Sequence, residues 1–251
     1  MLRFFRYIRQ TLLEQGKMKK YVLYALGEIL LVMVGILLAL QVSNWNEGRK
    51  LVQEELQLLS EIKTNLIQSR AEIDTTLTYN EEYLASYVRL LSHVENQSSY
   101  DTSMDKDFGA IRGWASPYLS YTAYETMKSK GSDLIKNKNL RARISSIYDR
   151  DFAYLVQDWD RAEWRDTEAV VIPYFTKHFK VFNTPTEIGS AKPNDYNTIM
   201  RDNEFSNVLH LLVYNRTWGN NMCERLIKQL TELISDIDEE LVSRGFEEGV
   251  G

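Results

Sequence analysis

From Tyr21 to Val42 the chain reads YVLYALGEILLVMVGILLALQV, an apolar run in which Glu28 is the single charge. As a helix rising 1.5 Å per residue it would be about 33 Å long, enough to cross a hydrocarbon layer about 30 Å thick. A core helix of this length would show a polar face, and this one has none. Tyr21 and Tyr24 at one end and Trp45 at the other stand where interfacial aromatics collect. The pattern predicts a transmembrane helix over residues 21–43. A cleaved signal peptide is the alternative, disfavoured because the run is long and no A-x-A-type site follows it.

Beyond Trp45 the apolar positions take up helical spacing. Leu51, Leu56, Leu59, Ile62, Leu66 and Ile73 recur at intervals near three or four, and Leu77, Leu84, Tyr87, Leu91 and Val94 continue them. Asn44 or Asn46 is placed to cap a helix starting near Glu47. No proline falls between Glu47 and Asn96, so one long helix, or two nearly continuous ones, is expected there. Residues 96–107 are a loop by composition. A shorter helix is predicted over 118–130 and stopped by Gly131. The next, about 139–178, carries Ile144, Ile147, Tyr148, Phe152, Leu155, Trp159 and Ala162 on one face, with Pro173 expected to kink or interrupt it. Residues 183–198 read as a loop. The last helix, about 203–243, has a stripe of Leu209, Leu212, Cys223, Ile227, Leu230, Ile234, Ile237 and Leu241, with a bend expected at Trp218–Asn221. Long helices joined by few loops make the expected fold class all-α: one transmembrane helix, then an extracytoplasmic helical bundle over 44–243 and a flexible tail over 244–251.

Charge adds an orientation. Residues 1–20 carry Arg3, Arg6, Arg9, Lys17, Lys19 and Lys20 against Glu14, a net of +5. With −5 on the whole chain, the remainder holds −10. Only Arg49 and Lys50 follow the run closely. The positive-inside rule therefore places residues 1–20 in the cytoplasm and the rest beyond the inner (plasma) membrane, in the periplasm or outside. Within that segment Leu2, Phe5, Ile8 and Leu12 share one side of a helix and the arginines the other, so residues 1–15 are expected to lie as a basic amphipathic helix among lipid headgroups. An acidic body gives no support for nucleic-acid binding.

Glu28 is the one costly residue in the run. A carboxyl well inside hydrocarbon costs a few kcal/mol, and such groups usually face protein or water. Its helical face also holds Ala25, Val32, Gly35 and Ala39, and Gly35 with Ala39 is the small-xxx-small spacing that lets helix backbones approach. Self-association with Glu28 hydrogen-bonded at the contact is the leading expectation. The competing one makes Glu28 a proton or cation site of a channel or ion-driven complex.

Little else points to chemistry. His93, His178 and His210 stand in no H-E-x-x-H or Glu-x-x-His spacing. Cys223, the one cysteine, lies on an apolar stripe and reads as core rather than nucleophile, and it excludes an intrachain disulfide. Asp158, Asp160, Glu163, Asp166 and Glu168 alternate with Arg161 and Arg165, which reads as a solvated, salt-bridged helix face rather than a metal site. Trp114, Tyr118, Tyr121, Tyr124, Tyr148, Phe152, Trp159, Trp164 and Tyr174 are expected to pack a core, with a ligand pocket as the second possibility. No metal, cofactor or catalytic residue is expected.

Three elements near the N-terminus resemble a large uncharacterised family of bacterial single-pass inner-membrane proteins. They are the basic FFRxIRxxLL-like start over Phe4–Leu13, Tyr24 with Gly27 and Glu28, and the Leu-Gln-x-x-x-Trp-Asn exit over Leu40–Asn46. Residues 123–144, AYETMKSKGSDLIKNKNLRARI, resemble the same family. The resemblance implies membrane anchoring and no mechanism. The expected function is accordingly a homo-oligomeric, non-enzymatic membrane protein whose outer domain binds a ligand or partner protein; the ion-linked complex is second and a membrane-tethered enzyme third.

Overall fold

The computed structural model describes residues 18–182 and 189–246. The expectations for residues 1–15, including Arg3, Arg6 and Arg9, and for Lys17 and residues 247–251 lie outside that range. So does the side chain of Lys20.

The chain divides into two compact units, residues 1–55 and Leu56–Gly251. The first holds the start of helix α1, which as a whole is Met18–Glu95. No break or cap occurs at Asn44 or Asn46: α1 runs through both, since no proline or glycine stands between the apolar run and Glu47. Its apolar window is long enough to cross a membrane, and none of that window is buried. Leu23, Leu31 and Leu38 are all exposed.

The second unit is the helical bundle expected. Beyond the end of α1 come α2 (Met104–Ala110), α3 (Thr122–Lys130), α4 (Lys138–Ser146), α5 (Arg161–Asp166), α6 (Ile172–His178), strands β1 (Phe179–Phe182) and β2 (Ser190–Pro193), α7 (Tyr196–Ile199) and α8 (Asn203–Ser243). Three π-helical stretches, Ile147–Asp151, Tyr154–Asp160 and Thr167–Val171, join α4, α5 and α6 into an unbroken helical rod over 138–178. Pro173 falls in the first turn of α6, directly after the third wide turn, so its missing N–H is accommodated without a break.

Ion pairs and hydrogen bonds fix how the rods run. Lys63 meets Asp238 at 2.7 Å and Arg70 Nη1 donates to Thr231 at 3.3 Å, so α1 and α8 are antiparallel. Arg143 pairs with Asp236, and Trp159 Nε1 donates to the Asn215 carbonyl at 3.0 Å, so the 138–178 rod is antiparallel to α8 as well. Caps delimit the rods. Asn137 accepts from Leu140 N at the start of α4, and Asp202 from Glu204 N at the start of α8. Gly131, at φ 96°, ends α3 where the sequence placed its stop. At the far end of α8, Gly245 at φ 67° and the bond from Phe246 N to Leu241 O close a Schellman cap. Phe246 packs on the core, so Arg244–Phe246 belong to the bundle rather than to a loose tail.

The loop expected over 183–198 holds β2 and α7. β2 pairs antiparallel with β1, Phe179 opposite Pro193 and Phe182 opposite Ser190. The core forms two clusters. One gathers Leu56–Ile73 of α1, the rod from Leu140 to Trp159 and α8 from Met222 to Leu241, with Cys223 fully inside. The other gathers Tyr87 and Leu90 of α1, Phe108 of α2, the rod from Val171, β1, and α8 from Phe205 to Leu212.

Candidate functional site: a buried ionic centre beside a cleft

Along all three long rods the residues between the two core clusters are polar. On α1 they include Thr76 and Asn80, on the rod Glu163 and Thr167, and on α8 Asn215, Arg216 and Asn220, all buried. Arg216 is the hub. Its Nη1 donates to Asn80 Oδ1 at 2.5 Å and its Nη2 to the Gly113 carbonyl at 2.8 Å. Its Nε stands 3.2 Å from Glu163 Oε1. That N–H is not aimed at the carboxylate, and neither Glu163 oxygen has a hydrogen bond among the described residues. The pair is therefore coulombic, not hydrogen-bonded. The guanidinium also lies over Tyr83, 5.5 Å from the ring centroid.

Glu163 sits in a row of carboxylates on the rod, each with its own partner. Asp160 accepts from Trp114 Nε1 at 3.2 Å and Ser116 Oγ at 2.8 Å, and Asp166 accepts from Asn215 Nδ2 at 3.1 Å. Burial pushes the Glu163 carboxyl up to about 7; Arg216 opposes the rise, and Asp160 and Asp166 reinforce it. Burial raises Asp160 too, against its two hydrogen bonds and Arg216. Tyr87, which donates to the Ala110 and Gly113 carbonyls at 3.1 and 3.3 Å, is pushed up to about 12 by burial. The acidic stretch is thus not the solvated face expected. Asp158 and Glu168 are exposed, but Glu163 is buried, because it turns toward Arg216 of α8. α8 runs unbroken through Trp218–Asn221, where Gly219 leaves the space that the Trp159 indole fills.

A cleft of about 670 Å³ adjoins this centre, walled by α1, α2 and the segment that follows α2. Tyr83 and Gly113, which contact Arg216 on one side, line the cleft as well. Gly113 has no room for a Cβ, since the Tyr83 ring lies against it, and Gly109 has none because the Gly189 backbone crosses it. Arg89, on the cleft wall, grips Asp107 of α2 with Nε at 2.9 Å and Nη2 at 2.5 Å, a bidentate link between α1 and α2. Trp114 stacks on Trp164, centroids 4.3 Å apart at 19°. The remaining aromatics divide: Tyr124, Tyr148, Phe152, Trp159 and Tyr174 are buried in core, while Tyr118 and Tyr121 are exposed.

The residues singled out in the apolar run lie on α1. Ala25 and Glu28 are partly shielded; Val32, Gly35 and Ala39 are exposed, and a Cβ on Gly35 would meet nothing. Tyr24 and Glu28 each make an interaction within the chain. Among the described residues no group of three or more His, Cys, Asp or Glu is arranged to hold a metal ion.

A family model of unknown function, DUF6090, matches residues 28–217, a stretch that begins at Glu28 and includes both Glu163 and Arg216. The chain belongs to the DUF6090 family. No curated protein and no solved structure matches it. Membership supports the resemblance seen at the N-terminus at the level of an uncharacterised family, and it assigns DUF6090 no chemistry.

The signal that sequence reading missed lay in the gaps of the stripes. The apolar stripe on the last helix jumps from Leu212 to Cys223, and Asn215, Arg216, Gly219 and Asn220 fill the interval on the buried side. On α1, Thr76 and Asn80 continue the spacing of Ile62, Leu66, Ser69 and Ile73. Polar residues in step with an apolar stripe are the mark of a buried polar layer.

Proposed function

We propose that this is a single-pass inner-membrane protein whose helical domain, in the periplasm or outside, binds a ligand or partner in the cleft between α1 and α2. The anchor is the 21–43 segment, with the N-terminus cytoplasmic. Copies associate through the face of Ala25, Glu28, Val32, Gly35 and Ala39, and the domain binds rather than catalyses.

The observation that carries the reading is the cleft's support. Its Tyr83–Gly113 wall rests on a buried Arg216–Glu163 pair that is imperfectly hydrogen-bonded. Such a pair is a poor way to gain stability, since desolvation offsets much of its attraction. Perturbed, buried charge beside a cleft is a common mark of a functional site.

Two measurements test the proposal on the full chain in lipid nanodiscs. Hydrogen exchange over residues 82–89 and 109–114 should slow when a small-molecule extract of the source cells is added. The slowing should vanish in Ala85→Trp, which fills the cleft from an exposed lining position. Exchange that is identical with and without extract would sink the binding role. Light scattering should give more than one copy per particle for the natural chain, fewer for Gly35→Leu/Ala39→Leu. Glu28→Gln should weaken assembly if its carboxyl is an assembly group; unchanged assembly with lost proton or cation flux would favour the ion-linked reading instead.

A further inference from the structure

Charge in the cleft runs opposite to charge on the chain. Beyond residue 20 the protein carries a net of −10, yet among the described residues the cleft is lined by Arg89, Lys106 and Arg112 against a single acidic residue, Glu82. The three cations differ in what they do. Arg89 is committed to Asp107, which fixes its guanidinium and ties α1 to α2. Lys106 and Arg112 are exposed and make no ion pair or hydrogen bond among the described residues. Tyr83 and Trp114 add aromatic surface to the same wall. The Trp114 indole is held from behind by its stack on Trp164 and its bond to Asp160.

We infer that the cleft takes an organic oxyanion, a small molecule bearing a phosphate or carboxylate. The oxyanion sits between Lys106 and Arg112, and the body lies against Tyr83 and Trp114. An arginine fork matches the paired oxygens of such a group, and a lysine adds a mobile point charge. The volume, about 670 Å³, falls within the range of small-molecule sites, roughly 300–1,000 Å³. The inference rests on the binding role proposed above and adds the class of ligand.

The test uses the full chain in nanodiscs of zwitterionic lipid. Phenyl phosphate and benzoate are the anionic probes, and phenol and benzamide their neutral counterparts. Hydrogen exchange over residues 82–89 and 109–114 reads occupancy. Saturable protection by the anions but not the neutral probes is expected. It should weaken about tenfold or more in Lys106→Gln/Arg112→Gln, and persist with Lys180→Gln, an exposed cation that does not line the cleft. Both replaced side chains are exposed, so the variant keeps its fold, which circular dichroism checks. Protection by neutral probes alone overturns the ligand class and leaves the cleft as a binding site. Protection by no probe and by no extract overturns both. Protection that appears without probe in nanodiscs containing phosphatidylglycerol, and is lost in the double variant, supports the same oxyanion chemistry supplied by a lipid headgroup.

Discussion

Replacing Glu163 by glutamine isolates the buried carboxyl. In the folded chain burial pushes that group from the ordinary 4.5 up to about 7. Between those values the folded state holds a proton that the unfolded chain has released, so stability must fall as pH rises through the window. Each tenfold change in proton affinity is worth about 1.4 kcal/mol, so the ionised carboxyl lowers stability by about 3 kcal/mol above pH 7 relative to its neutral form. Glutamine imitates the neutral form at every pH. Glu163→Gln should therefore match the natural chain near pH 4.5 and exceed it by about 3 kcal/mol at pH 8. For a domain of this size that is roughly 6–12 °C in Tm. Unfolding of the full chain in detergent, followed by tryptophan fluorescence from pH 4.5 to 8, gives the difference directly. The histidines and other carboxylates cancel in the comparison, leaving the term from Glu163. A difference that stays constant across this range would refute the argument that burial governs the group.

Other substitutions probe the packing around the centre. Gly219→Ala sets a methyl into the Trp159 indole and should destabilise the domain by about 1–3 kcal/mol through overpacking, read from the urea midpoint. Asp202→Ala removes the α8 cap and the 2.6 Å bond from Tyr174; a loss of about 1–2 kcal/mol is expected by the same assay. Ile62→Ala empties a fully buried position of α1 in the first core cluster. It should lower stability by about 2–5 kcal/mol without changing the pH dependence assigned to Glu163.

Much of the architecture was legible because it depends on period and punctuation. The helix over 203–243 is bounded by Asp202 and by Arg244–Gly245, and both ends follow from local capping chemistry. The rod over 138–178 was legible as helix but not as a π-turned one, since its apolar stripe reports a helical period and not the width of individual turns. β2 and α7 were hidden in a segment whose prolines and glycine signal only a turn, and β1 stands just before it. The candidate site was the least visible part. Glu163 looked like one charge among several on a helix face, and only the approach of Arg216, 53 positions further on in the numbering, turns it inward. Sequence reading weighs each rod against solvent, and the centre exists only where three rods meet.

Cys223 has a practical consequence. It is the chain's single cysteine, it is fully buried, and burial pushes its thiol up to about 12. A maleimide spin label or fluorophore will pass over the folded chain. The natural sequence thus serves as its own background for site-directed labelling. A thiol introduced at exposed Glu47 or Glu82 becomes the one reactive handle on the molecule.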